Sequence, residues 1–168
     1  MRLAGIYQES TVDGPGINMV IYTQGCPHRC SNCHNPSTHD EKGGVEMSVE
    51  EVKKKIKETK EATLITGITF SGGEPLSQLK DIVELAAFAR ELNLNTTLYT
   101  GYSLFFKEEG VMAQGNKRLS LREDSFKDID IIFDGPFKSS LRDTLSTPFR
   151  GSTNQRMLFK QNGKWQKV

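Results

Sequence analysis

The sequence predicts an α/β fold, an incomplete, open parallel β/α barrel, on three observations. Short β-prone apolar runs alternate along the chain with amphipathic helical segments, and a helical crossover returns each strand parallel to the last. Glycine-rich and polar signals fall at the C-terminal ends of those strands, where folds of this class place their chemistry. At 168 residues the chain can bury a real core but is short for a complete eight-unit barrel. No internal repeat, low-complexity tract or linker interrupts it, so one domain over residues 1–168 is expected.

The first clear strand is Asn18-Met-Val-Ile-Tyr-Thr23, which runs directly into Gln24-Gly25 and a cysteine segment; the cysteines therefore sit in a loop after a strand. Ser48 with Glu51 three residues later forms a capping box, and Val49, Val52 and Ile56 then recur at helical spacing, predicting a helix over 48–60. A strand over 66–70 ends at Ser71-Gly-Gly-Glu-Pro75. Leu79, Ile82, Val83, Leu85, Ala86, Ala89 and Leu92 then describe one apolar helical face. The same grammar recurs at 95–99 before Thr100-Gly101 and at 129–133 before Asp134-Gly135-Pro136. Between them, residues 109–128 are polar and weakly patterned and read as a surface connection with a short helix. A last β-prone run covers 156–159, and Asn162-Gly163 supplies a hairpin turn.

Hydrophobic residues make up 36%, charged residues 26%, and the formal net charge is +1, a balance that signals neither disorder nor an electrostatic grip on nucleic acid. No apolar run approaches the roughly 20 residues that span a bilayer, and Met1–Gly5 lacks a signal-peptide core. A cytoplasmic protein with no membrane or nucleic-acid partner is expected.

All three cysteines lie in Cys26-Pro-His-Arg-Cys30-Ser-Asn-Cys33, an odd number too tightly spaced for a disulfide framework. Three thiolates on a short loop match three corners of a cubane iron cluster or three positions around zinc. A structural zinc site wants closure, and His28, His34 or His39 can supply it. Zinc ribbons and knuckles, however, draw paired ligands from two segments, and no second Cys or His pair lies elsewhere. In the cluster reading one iron keeps no protein ligand and stays open to a chelating small molecule.

Cys-x3-Cys-x2-Cys after one strand and Gly-Gly-Glu-Pro after the next resemble the radical S-adenosylmethionine superfamily. Within it the chain looks most like the anaerobic ribonucleoside-triphosphate reductase activating proteins. That match rests on Asp13-Gly-Pro-Gly16, Gly25-Cys-Pro-His-Arg-Cys-Ser-Asn-Cys-His-Asn35, Ser71-Gly-Gly-Glu-Pro75, Asp134-Gly-Pro-Phe137 and Arg150-Gly-Ser-Thr-Asn-Gln155, and runs from about residue 5 to residue 160. The resemblance implies a 4Fe-4S cluster on Cys26, Cys30 and Cys33 as metal ligands and catalytic centre, with S-adenosylmethionine as the second cofactor. Gly72, Gly73 and Glu74 would hold its methionine amino group, Thr100 and Asp134 its ribose hydroxyls or amino group, and Asn32 and His34 its adenine. Asn32 stands where the superfamily often has an aromatic, so adenine packing must use His34 or a main-chain contact. Tyr99 stands where related formate-lyase activases have an aspartate near a bound cation, which argues against such a cation here. The implied partners are a flavodoxin-like reductant and the anaerobic ribonucleoside-triphosphate reductase, on a glycine of which a radical is made. The alternatives are activation of another glycyl-radical enzyme, of the formate-lyase type, and a zinc-binding interaction domain.

Other motifs have ordinary local readings. Asp13–Gly16 is a tight turn, which the resemblance places near where a protein substrate enters. Lys138 reads as a solvated lysine, Arg150–Gln155 as a polar loop entering a strand, and His28 and His39 as surface histidines without a ligand role.

Overall fold

A computed structural model describes residues 1–142, 145–146 and 148–168. In chain order the elements are β1 (Arg2–Ser10), β2 (Asn18–Thr23), β3 (Val45–Glu46), α1 (Val49–Ala62), β4 (Gly67–Gly72), α2 (Leu79–Glu91), β5 (Asn95–Thr100), β6 (Ser103–Lys107), β7 (Gly110–Gln114), β8 (Arg118–Leu121), β9 (Ile131–Asp134), β10 (Arg156–Gln161) and β11 (Lys164–Lys167), with short 3-10 turns between them. The main sheet has the order β11-β10-β9-β5-β4-β2-β1-β3 and is open, with β11 and β3 at its edges.

Parallel pairing holds only at the centre. β2–β4, β4–β5 and β5–β9 are parallel, whereas β1–β2, β1–β3, β9–β10 and β10–β11 are antiparallel. The central crossovers carry α1, α2 and the β6–β8 segment, while the flanking strands add through turns or returning loops and need no such crossover. The fold is thus mixed α/β, with a four-strand parallel centre inside antiparallel flanks. Register aligns the C-terminal ends of that centre along one edge, Thr23 opposite Gly72 and Thr100 opposite Asp134.

Strand alternation gives the sheet two chemically different faces. Met19, Ile21, Ile68, Phe70, Leu98 and Ile132 are fully buried in the apolar core. They share it with Val52 and Ile56 of α1 and Ile82, Leu85, Ala86 and Ala89 of α2. The residues between them, Tyr22, Thr69, Ser71, Thr97, Tyr99 and Phe133, point the other way. α1 begins where the capping box predicts: Ser48 Oγ accepts from Glu51 N, and Glu51 returns a carboxylate oxygen to Ser48 N at 2.7 Å.

Residues 109–128 hold the short helix read from the sequence, as a 3-10 turn at Glu123–Phe126, but the rest is not a surface connection. β6, β7 and β8 form a three-stranded antiparallel meander where a crossover helix would otherwise join β5 to β9. Leu104, Val111 and Ala113 carry it into the core, and Phe106 stacks on Trp165 of β11 at 5.0 Å. β1 has no apolar alternation, and only Leu3 and Ser10 of it are buried. Among the described residues no helix is long and apolar enough to cross a membrane.

Candidate functional site

The cysteine loop leaves β2 at Thr23 and is tied down at its root. Gln24 N donates to Arg2 O at 2.9 Å, Gly25 N to Thr38 O at 2.8 Å, and Gln24 Nε2 to the carbonyls of Ser37 and Asp40 at 2.9 and 2.7 Å. Arg29 and Asn32 take left-handed backbone conformations, φ 48° and 55°, which fold the intervening chain into a tight loop. Cys26, Cys30 and Cys33 are all free, partly buried, and face one cavity of about 500 Å³ at the C-terminal edge of the parallel strands.

Burial pushes the thiols of Cys26 and Cys30 up from their ordinary value, and the Glu74 carboxylate adds to this. Main-chain N–H groups act oppositely: those of His28 and Arg29 reach Cys26, and that of Phe137 reaches Cys30. Asn35 N lies 3.4 Å from Cys33 Sγ. Such donors stabilise thiolate sulfur and tune an iron–sulfur group. Among the described residues no group of three or more His, Cys, Asp or Glu side chains gathers around a single-ion position. A cluster with its own bridging sulfides meets its thiolates at separate corners and asks for no such convergence. Three thiols on one cavity wall, supplied with N–H donors, fit it.

The turn after β4 is fastened to the root of the cysteine loop. Gly73 N donates to Thr23 O at 2.7 Å and Glu74 N to Gly25 O at 2.8 Å. The approach is too close for a side chain, since a Cβ on Gly73 would lie 2.3 Å from Gly25 O and one on Gly72, at φ +99°, 2.5 Å from Thr23 N. The fully buried Glu74 carboxylate accepts four hydrogen bonds. Leu76 N and Thr100 Oγ1 reach Oε1 at 2.9 Å each, while Gly101 N and His28 Nε2 reach Oε2 at 2.8 Å each. Both oxygens are saturated, so this turn can offer a ligand only its main chain.

The cavity brings together Cys26, Cys30, Cys33, His34, Gly72, Gly73 and Thr100 from the residues expected in the sequence, but not Asn32, Glu74 or Asp134. Asn32 is exposed at its left-handed bend. Glu74 lies behind the turn for the reason just given. Asp134 falls on the strand face opposite Phe133, fully buried. Its carboxylate accepts from Arg156 Nε at 2.8 Å and Leu104 N at 2.6 Å, and a further guanidinium contact completes the pair. His34 lies against Phe137, ring centroids 4.8 Å apart. Lys138 is exposed, as expected of a solvated lysine. His28 is not a surface histidine: its side chain is 5% exposed.

Sequence reading missed the aromatic wall of the cavity, Tyr22, Tyr99, Phe137 and Phe149. Period-two alternation was the available signal for the two tyrosines, since both stand on the face opposite the apolar core. Burial, with the Asp13 carboxylate, pushes the Tyr22 hydroxyl up to about 12, and burial raises that of Tyr99, which donates to Phe149 O at 2.8 Å. The segment after it closes the adjacent wall. Gln155 Nε2 donates to Gly135 O at 3.0 Å, its Oε1 accepts from Gly151 N at 2.8 Å, and Asn154 Nδ2 donates to Pro136 O at 2.8 Å. Asp13 stands at the far side of the same cavity, its carboxylate accepting from Ser10 Oγ at 2.6 Å.

Residues 12–158 match the family described as the 4Fe-4S single cluster domain. The chain is 31% identical over 169 aligned residues to the anaerobic ribonucleoside-triphosphate reductase-activating protein of Enterobacteria phage T4, covering 98% of each chain. It is 40% identical over 111 residues to the pyruvate formate-lyase-activating enzyme of Clostridium pasteurianum, 64% of this chain and 47% of that one. Against the pyruvate formate-lyase-activating enzyme of Listeria monocytogenes it is 36% identical over 99 residues, 58% of this chain and 40% of that one. The chain thus spans less than half the length of these formate-lyase relatives and almost all of the phage protein.

Proposed function

The chain belongs to the 4Fe-4S single cluster domain family, among the anaerobic ribonucleoside-triphosphate reductase-activating proteins, and from that premise we propose that it is a radical S-adenosylmethionine activase of the anaerobic ribonucleoside-triphosphate reductase. Cys26, Cys30 and Cys33 would hold the cluster through three irons and leave the fourth without a protein ligand. When bound, the cluster supplies one electron to the sulfonium of S-adenosylmethionine, releasing methionine and a 5'-deoxyadenosyl radical that takes a hydrogen atom from a glycine Cα of the reductase. The observation that carries this reading is the shared cavity: three thiols face the Gly72-Gly73 main chain across a space sized for a small molecule.

The chain's own groups divide the work. Gly72 and Gly73, held against the root of the cysteine loop, offer main-chain groups to the methionine ammonium from the cavity wall. Thr100 presents its main chain at the next strand end, with its hydroxyl committed to Glu74. His34, packed on Phe137, forms the adenine side. Glu74 and Asp134 act from behind, fixing the ends of β4, β5 and β9 from which ligand groups project.

On this reading the chain is one radical S-adenosylmethionine domain over residues 1–168. The parallel strands β2, β4, β5 and β9 are the staves of an incomplete barrel of that type. The exposed side of the cavity is closed by the protein substrate, which shields the radical from solvent. A flavodoxin-like protein is the proposed electron source and the cytoplasm the proposed compartment, one that keeps three cysteines reduced. A second reading, activation of a formate-lyase type enzyme, draws on the identity to those activases over 64% of this chain or less.

The two are separated by mixing the reduced protein, S-adenosylmethionine and either glycyl-radical enzyme under anaerobic conditions. The electron paramagnetic resonance doublet of a glycyl radical is expected on the reductase and absent from pyruvate formate-lyase. A doublet on the formate-lyase alone would reverse the assignment, and zinc in place of iron would remove both.

A further inference from the structure

We propose that His28, between the first two cysteines, is a positioning residue. It sets the conformation of the cysteine loop by locking it to the ends of β4 and β5 and to the β7–β8 turn. The inference rests on the cluster reading above and adds to it the group that ties the thiols to the turn facing them.

Three chain segments converge on this one ring. Nε2 donates to Glu74 Oε2 at 2.8 Å, an interaction in which the imidazole is 5% exposed and the carboxylate fully buried. Tyr102 meets the ring edge-on at a centroid distance of 4.4 Å. Gly101 and Gly115 form the rest of the slot. A Cβ on the first would lie 2.5 Å from His28 Cδ2 and one on the second 2.8 Å from Cε1 and 2.7 Å from Tyr102 Cδ1, so the imidazole fills the space beside Gly101 and shares with Tyr102 the space beside Gly115. The neighbouring residue is held as well, Asn116 Nδ2 donating to Pro27 O at 2.7 Å.

The consequence lies in which carboxylate the ring grips. Glu74 follows the two glycines that line the cavity, and its own N–H is bonded to Gly25 O immediately before Cys26. His28 thus closes a loop of contacts from Gly25 through Glu74 back to the chain between Cys26 and Cys30. The spacing between the thiols and the Gly72-Gly73 main chain is fixed before any ligand arrives. With Nε2 committed to Glu74, the histidine acts on the cluster through geometry and not as a ligand from that nitrogen.

His28→Ala removes the lock, whereas His28→Gln keeps an N–H at nearly the same reach. The expected results for His28→Ala are iron and sulfide content equal to the parent protein and an altered electron paramagnetic resonance spectrum of the reduced cluster before S-adenosylmethionine is added. KM for S-adenosylmethionine should rise about tenfold, at the lower end of what loss of an outer-shell partner costs at a metal site, with a smaller change in kcat. The metal-free protein should melt at a lower temperature, and His28→Gln should restore all three properties. Gly101→Ala, whose Cβ presses on the imidazole without removing any polar group, should reproduce the spectral change, and it replaces His28→Ala if that variant does not fold. An unchanged spectrum and KM, or loss of iron from folded His28→Ala, overturns the positioning role. A parent protein that binds no iron overturns the cluster reading itself, so the two failures are distinguishable.

Discussion

Glu74 illustrates how this protein uses a charged residue in its interior. Its carboxylate is fully buried yet has two donors on each oxygen, which offsets the loss of water. The thiols of Cys26 and Cys30 are in the opposite condition, partly buried with burial opposing their ionisation, until a metal replaces the proton. Cys30→Ala is therefore expected to leave a folded protein without a stable cluster and to abolish formation of 5'-deoxyadenosine, checked by iron analysis and chromatography of the nucleoside. The cysteines were legible in the sequence because their spacing is local. The role of His28 was not, because its partner Glu74 lies 46 residues away and no local pattern distinguishes a buried histidine from a surface one. Asp134 shows the same limit in reverse. A polar residue at a strand end was read as facing a ligand, but alternation from Phe133 sends it to the other face, onto Arg156.

At the scale of elements, local chemistry decided what could be read. α1 was legible because its start signal and its apolar period coincide, and the structure adds Ala62 as its last residue. Ser48→Ala should lower stability by about 1 kcal/mol in urea unfolding at neutral pH. The Ser48 hydroxyl and N–H hold the Glu51 carboxyl below its ordinary value of 4.5. A folded-state value below the unfolded one means that this contribution is present above the unfolded value and fades as pH falls through the depressed folded one. The difference between parent and Ser48→Ala should accordingly shrink in strongly acidic buffer, and a constant difference would argue against the reciprocal cap. The β6–β8 meander was illegible because its strands span five residues or fewer, too short for a period of two to stand out in a polar segment. What stabilises it is remote, the Phe106–Trp165 stack and the burial of Leu104, Val111 and Ala113.

Across the whole molecule, topology turns separate strand ends into one site. The parallel centre aligns Thr23 with Gly72 and Thr100 with Asp134, so the loops that follow them open on the same edge. Strand–helix alternation forecast that centre, but it reports only on neighbours joined by a crossover. It could not foresee the antiparallel flank of β1 and β3 or the return of β10 beside β9, whereas Asn162-Gly163 did mark the antiparallel β10–β11 hairpin. The flanks matter to the site all the same. β10 brings Arg156 to Asp134, and the segment leading into β10 sets Gly151 and Gln155 in the cavity wall. In the proposed function the three thiols would leave one iron open to a small molecule held by the Gly72-Gly73 turn. The most direct test is electron–nuclear double resonance of the anaerobically reduced protein with S-adenosylmethionine isotopically labelled at its amino nitrogen. A hyperfine coupling between that nitrogen and the cluster is expected; no coupling, or a coupling to a histidine nitrogen of the protein in its place, would contradict the account.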